Sequence, residues 1–201
     1  LQRTARPGAG RWRADERTHL PRPGSGSALA QGQGGALEEA IDLVRGLWSS
    51  SGFSYTGKHF QTEGATLEPK PGHQIPIWLG AFGDRMLDLV GRKSDGWFPS
   101  LPFLPPEQAY RKLETIRSVA AHAGRNPDEM TYGYNIPVLV EAGTASTRGQ
   151  IARSAEEVAR HLADMARHGF TLLNLWPSGE AANQREQLAR EVLPRVYDLL
   201  A

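Results

Sequence analysis

The stretch Ile75-Pro76-Ile77-Trp78-Leu79-Gly80-Ala81-Phe82-Gly83 decides the fold class of this 201-residue chain. A short apolar run ends in glycines, and the next residues, 84–92, place Met86, Leu87 and Val90 on one helical face. A buried strand that turns on glycine into an amphipathic helix is a βα unit of a parallel sheet. Downstream the pattern repeats. Residues 96–98 read as a second short strand, stopped by Pro99. Residues 106–123 read as a helix with Pro105 and Pro106 at its start, where a missing N–H costs nothing, and with Tyr110, Leu113, Ile116, Val119 and Ala120 inward. Residues 131–140, rich in Val, Ile, Thr and Tyr, predict a longer strand. Ser154 and Glu157 form a capping box for a helix that turns Val158, Leu162, Met165 and Ala166 inward and stops at Gly169. A fourth strand is expected over 171–176. A last helix is expected over 181–200, with Leu188, Val192, Val196 and Leu199 on one face and a bend at Pro194.

Upstream, Leu37, Ala40, Ile41, Val44, Leu47 and Trp48 make the apolar stripe of another helix, ended by Ser49, Ser50, Ser51 and Gly52. Residues 53–74 predict an irregular excursion with a short hairpin around Thr56-Gly57, closed by Pro69 and Pro71. The order is therefore one helix, then βα four times: an α/β chain with a parallel sheet covered by helices. Four units are too few for a closed eight-stranded barrel, and an open four-stranded sheet is the alternative.

Residues 1–35 differ from the rest. They hold six arginines, two acids and few large apolar residues, with neither strand nor helix period. Such a segment buries too little surface to offset its ordering entropy, about 1–2 kcal/mol per residue, so it is expected to be disordered. The chain starts at Leu1 rather than Met, as an unusual start codon or a fragment would. The domain reading is thus 1–35, disordered or non-native, and 36–201, the α/β unit.

Composition excludes several functions. Twenty-three Lys+Arg against 22 Asp+Glu leave a net charge of +1, which gives no general attraction to nucleic acid or an anionic membrane. The absence of cysteine rules out disulfides, thiolate metal sites and Cys nucleophiles in this sequence. No apolar run nears the roughly 20 residues of a membrane span, and a cytoplasmic location is the default expectation.

The chemistry is expected where strands end. Gly80, Ala81, Phe82 and Gly83 let backbone N–H groups approach an anion at a helix N-terminus, the physical recipe for a phosphate cradle. A glycine that merely makes the turn is the competing reading. Asp84 favours the helix dipole but repels phosphate, an effect that Arg85 and Arg92 offset if they face the same way. In Ser94-Asp95-Gly96-Trp97-Phe98-Pro99-Ser100, Ser100 lies just past a strand's C-terminal end, where ligands of parallel α/β proteins gather. Trp97 or Phe98 faces either a planar ring or the core. Asn135 and Asn174 stand in otherwise apolar strands and either bond a neighbouring strand or reach a ligand. Trp176-Pro177-Ser178 closes the fourth strand on the same rim. His161 and His168 share a helix without a carboxylate to complete a metal set. No G-x-S-x-G, Walker or Rossmann pattern is present, so a borrowed cofactor is the better enzyme hypothesis.

The segments LEEAIDLVRGLW (37–48), YTGKHF (55–60), PIWLGAFGDRMLDLVGRKSDGWFPS (76–100), SAEEVARHLADMARHGF (154–170) and LLNLWP (172–177) resemble, in order and spacing, the luciferase-like monooxygenases, especially the branch that uses coenzyme F420. The resemblance implies a partial TIM-like (β/α) barrel of about four parallel βα units, the C-terminal half of the family's barrel. It implies that Gly80, Ala81, Phe82 and Gly83 offer their backbone to the cofactor's phosphate region and that Ser100 lies near the cofactor. Asp84 stands where the family usually carries proline. The implied cofactor is F420, with FMN the alternative, acting on a small-molecule substrate. The ring-facing residues of the family's first four strands have no counterpart here, so catalytic residues stay unassigned. The Arg/Gly/Pro-rich start against a family match at Leu37 is the pattern of an out-of-frame or truncated gene. Two functions follow: a flavin- or F420-dependent oxidoreductase, or a non-catalytic half-barrel that self-associates, as a homodimer, through unpaired strand edges.

Overall fold

A computed structural model describes residues 28–143 and 149–201. The first helix, α1 (Ala28–Ser49), begins upstream of the periodic stripe at 37–48. The segment expected to be disordered, 1–35, therefore ends within a helix, and its residues 1–27 lie outside the described residues. The predicted hairpin follows: β1 (Phe53–Thr56) and β2 (Gln61–Ala65) pair antiparallel around Gly57. Its loop is fastened to α1 by Glu39, whose carboxylate accepts the N–H groups of Lys58 at 2.9 Å, His59 at 2.7 Å and Phe60 at 3.1 Å.

The four predicted strands all form and all run parallel. β3 (Trp78–Leu79) leads into α2 (Asp84–Lys93), β4 (Gly96–Trp97) into α3 (Pro106–His122), β5 (Thr131–Val140) into α4 (Ala155–Arg167), and β7 (Leu172–Pro177) into α5 (Ala181–Gln187). The spatial order β3-β4-β5-β7 follows chain order, as in one arc of a βα barrel. A short strand with no strong sequence signal, β6 (Ile151–Arg153), adds to β5 at Val138–Val140. Because Val138 pairs with Ile151 on one side and Pro177 on the other, β6 lies on the same edge of β5 as β4. Among the described residues the arc is open: β3 ends it on one side and β7 on the other.

The core lies between the sheet and the helices. Along β5 the even residues Tyr132 to Val140 are buried at 5% exposure or less, and they meet Leu113 and Ile116 of α3 and Val158 and Leu162 of α4. Each such side chain contributes about 1.5–3 kcal/mol of burial. Gly91 lets α2 approach α3, since a β-carbon there would sit 2.7 Å from Val119 and 2.9 Å from the Ile116 carbonyl. The capping box holds: Ser154 Oγ accepts from the Glu157 N–H, and the Glu157 side chain takes the Ser154 N–H. Gly169 adopts φ 97°, the left-handed stop expected of it.

The last helix is interrupted where proline predicts. A wider π turn, Leu188–Val192, separates α5 from α6 (Leu193–Leu200), and the Leu193 N–H reaches the Leu188 carbonyl five residues back. Pro194 has no N–H to continue the α register, and the widened turn accommodates that gap. α1 leans on α2 through Arg92–Glu38 at 2.8 Å and Lys93–Asp42 at 2.6 Å. Of its apolar stripe only Ile41 is fully buried, because α1 sits at the open end of the arc. Among the described residues no helix is long and apolar enough to cross a membrane.

Candidate cofactor-binding face

The odd residues of β5 point away from the helices, toward what would be a barrel interior. Strand register arranges that face in rows. In the first row Trp78 pairs with Gly96, and its ring lies over that glycine: a β-carbon on Gly96 would sit 2.7 Å from Trp78 Cδ1. In the second, Phe98 lies over Gly133, where an added β-carbon would meet its Cε2 at 1.9 Å. The two rings stack on each other, 5.5 Å between centroids and 2° from parallel. Leu172 pairs with Gly133 and extends this apolar floor.

The next row toward the C-terminal rim is polar. Ser100 bridges to Asn135, and Asn135 pairs with Asn174. Asn174 Nδ2 donates to Asn135 Oδ1 at 2.7 Å, and Asn135 Nδ2 donates to Ser100 Oγ at 3.0 Å. Asn135 and Asn174 therefore bond neighbouring strands, as one sequence reading had it, and form a continuous ladder with Ser100. Trp176, beyond Asn174 on the same face, is 49% exposed. Of the adjacent aromatics, Trp97 belongs to the core, fully buried, with Nε1 donating to the Ala81 carbonyl at 2.9 Å.

The Gly80–Gly83 loop stands at the C-terminal end of β3, beside this face. Gly80 touches the Phe98 carbonyl, a β-carbon there reaching it at 3.3 Å. Ala81 is buried and anchors the loop through Trp97, whereas Gly80, Phe82 and Gly83 are exposed. Phe82 leans on Phe103, 6.2 Å away, and the Phe103 N–H is held by the Ser100 carbonyl, so the loops after β3 and β4 meet. Gly83 is the N-cap of α2 in extended conformation (φ −85°, ψ 149°) and supplies no side-chain cap, with nothing within 4 Å of the space a β-carbon would take. The Met86 N–H is taken by the Gly83 carbonyl at 2.8 Å, and the two amides before it, with no side-chain cap, suit an anion.

Of the charged groups that sequence linked to this loop, the two arginines are directed toward α1, and Asp84 stays at the loop's end. Arg92, in the last turn of α2, binds Glu38 and Asp88, which raises its already high pKa, and Arg92 holds Glu38 below the usual carboxylate range. Arg85 approaches Gly34 of α1. Asp84 is almost wholly exposed, its nearest cation Lys112 at 4.0 Å. Asp95 is at the opposite end of the sheet, where it accepts from the Ile77 N–H and from Arg45, both at 2.8 Å. A cleft of about 700 Å³ lies at that end, but its Arg125 is committed to the carbonyls of Gly91 and Ser94 and its Asp95 to Arg45 and Ile77, so the groups there tie the chain together. His168 stacks on Tyr110 with centroids 3.8 Å apart, and among the described residues no His, Asp and Glu gather as a metal site. The sequence did not reveal the two ring-over-glycine rows, because pairing across strands depends on register.

An open arc of parallel βα units, glycine-turned at one strand end and polar at the rim, is the architecture of part of a (β/α) barrel. The chain belongs to the luciferase-like monooxygenase family, which it matches over residues 27–194. It is 39% identical over 99 residues to the phthiodiolone/phenolphthiodiolone dimycocerosates ketoreductase of Mycobacterium tuberculosis, a match covering 47% of this chain and 26% of that protein. It is 30% identical over 94 residues to the F420-dependent glucose-6-phosphate dehydrogenase of Nakamurella multipartita, covering 47% and 28%. The chain thus spans only about a quarter of the length of these relatives. Among solved structures, an F420-dependent secondary alcohol dehydrogenase with an F420–acetone adduct superposes with a TM-score of 0.68 at 18% identity, over 79% of this chain and 60% of that one. The F420-dependent tetrahydromethanopterin reductase of Methanopyrus kandleri gives 0.66 at 16%, over 79% and 63%. At these identities the likeness is one of fold, and it bears out the partial TIM-like α/β barrel expected from sequence.

Proposed function

We propose that this chain holds the phosphate end of coenzyme F420, with FMN the alternative, in an oxidoreductase of the luciferase-like type acting on a small-molecule substrate in the cytoplasm. The observation that carries this reading is the α2 N-terminus, whose first amides follow an exposed Gly80–Gly83 turn at a strand's C-terminal end and have no side-chain cap. The residues fit such a group: the turn at Gly83 opens onto free space, with nothing within 4 Å of a β-carbon position there, and Ser100 adds a hydroxyl from the next strand. When bound, the deazaflavin or flavin supplies the hydride or oxygen chemistry. In this reading the backbone around Phe82 and Gly83 and the Ser100 hydroxyl bind the anionic tail, and Trp78 and Phe98 form a dry floor beneath it. The relatives named for F420 support the preferred cofactor.

Titration of the purified full chain with F420 and with FMN, followed by fluorescence, tests the proposal. Saturable micromolar binding, about −8 kcal/mol, is expected. A folded protein that binds neither overturns it. A second reading is favoured by the open arc itself: Trp78, Leu172 and Trp176 are 42%, 38% and 49% exposed on one face between two strand edges that are unpaired among the described residues. A half-barrel built to self-associate as a homodimer is the alternative, and sedimentation of the same samples separates a dimer from a monomer.

A further inference from the structure

The ladder Ser100–Asn135–Asn174 spans three adjacent strands one row above the Trp78–Phe98 floor, and it has a direction. An amide offers donors on one side and an acceptor on the other, so two ladders are self-consistent. In one, Asn174 donates to Asn135, Asn135 donates to Ser100, and the Ser100 hydrogen is left to donate outward. In the other both amides are turned over, Ser100 donates inward to Asn135, and only a lone pair faces out. The structure has the first arrangement. An unprotonated phosphate oxygen accepts and never donates, in a diester as in a monoester, so it is matched by the first ladder and opposed by the second.

We infer that Asn135 and Asn174 are positioning residues that set the hydroxyl of Ser100 as a donor toward the cofactor's phosphate. The inference rests on the reading of Ser100 as a cofactor contact. Asn174 does not touch the phosphate in this scheme; it acts through Asn135, two strands from the hydroxyl it orients. Its exposure makes it replaceable without disturbing the core.

Asn174→Asp tests the direction. A carboxylate at 174 only accepts, so Asn135 must turn its Nδ2 toward it and its Oδ1 toward Ser100. The hydroxyl then donates inward and its outward donor is lost. The readout is the affinity ratio between a cofactor and its phosphate-free form: FMN against riboflavin, or F420 against its phosphate-free deazaflavin core, whichever the wild-type chain binds. Asn174→Asp is expected to lower this ratio about tenfold, the value of one hydrogen bond to a charged group, while affinity for the phosphate-free form stays constant. Ser100→Ala is expected to lower it equally, and Asn174→Asp added to Ser100→Ala to change it no further; Ser100→Thr, which keeps the hydroxyl, restores the response to Asn174→Asp. If Asn174→Asp lowers the ratio as much in the Ser100→Ala background as alone, the effect is the long-range charge of the new carboxylate and the inference fails. Equal ratios for wild type and Asn174→Asp also overturn it, while leaving the phosphate cradle standing. A wild type that binds without preferring the phosphorylated form overturns the cradle and the inference together. Unchanged melting temperature and unchanged affinity for the phosphate-free form identify folded variants.

Discussion

The ring of Phe98 occupies the space that a β-carbon on Gly133 would need, with its Cε2 1.9 Å from that position. Gly133 is in regular strand with no unusual backbone angle, so its requirement is for space alone. Trp78 stacks on the Phe98 ring, so the ring can withdraw from Gly133 only by disturbing that stack. Gly133→Ala is therefore expected to lower stability by about 1–3 kcal/mol, as overpacking does. A urea denaturation curve measures this, and near-ultraviolet circular dichroism should lose intensity as the Trp78–Phe98 stack is broken. A stable variant with an unchanged aromatic signal would mean that the ring moves freely over the strand.

Glu39 links α1 to the β1–β2 hairpin by accepting three backbone N–H groups from Lys58, His59 and Phe60. Partial desolvation pulls its pKa upward, but the three donors together outweigh it and hold the carboxyl below its ordinary range. A depressed carboxylate stabilises the folded state above the unfolded-state value, about 4.3 for glutamate, and this contribution is lost as pH falls through the folded value. Amide exchange at residues 58–60 should thus accelerate, relative to the rest of the sheet, as pH drops below about 4. In Glu39→Ala these amides should exchange fast at every pH, with no further relative change in acid.

Ser154 and Glu157 provide a local test with a well-known scale. Ser154→Ala removes the acceptor for the Glu157 N–H and the hydroxyl that bonds the Glu157 carboxylate at 2.8 Å. A loss of about 1 kcal/mol is expected from thermal melting, with the α4 N-terminus becoming the first part of that helix to exchange. Ser154→Asp, which keeps an acceptor, should lose less.

Local signals were legible in the sequence and register was not. β5 is bounded at both ends because Thr, Tyr, Ile and Val dominate 131–140 and turn residues flank it. The hairpin at Gly57, the capping box and the interruption near Pro194 each follow from a few adjacent residues. β6 is not legible because its three residues carry too little pattern, nor is the start of α1, where Gly and Gln at 31–35 give no apolar stripe. Trp97 and Phe98 looked interchangeable in sequence, yet period-2 alternation sends one into the core and the other onto the open face. The candidate site was found as a list of strand ends, Gly80 to Gly83 and Ser100. Its organisation, with Asn135 and Asn174 tied to Ser100, depends on which residue of one strand faces which of the next.

Asp84 sits at the first helical position of α2, directly after the uncapped Gly83, and its carboxylate is nearly fully exposed. In the unliganded protein this charge favours the helix dipole. Against a bound phosphate the same charge is repulsive, and Lys112, 4.0 Å from the carboxylate, offsets only part of it. Asp84→Asn removes the repulsion at constant size, whereas Asp84→Pro removes it together with the first helical N–H. Asp84→Asn should bind F420 or FMN about three to ten times more tightly at low salt, and Asp84→Pro should gain less because it loses an amide donor. The gain should shrink as salt rises past about 0.15 M, because the charge is exposed to screening. Riboflavin, without a phosphate, should not distinguish the variants from wild type. If Asp84→Asn leaves FMN and F420 affinity unchanged at low salt, the anionic tail does not lie at this helix end, and the Gly80–Gly83 turn is only a turn.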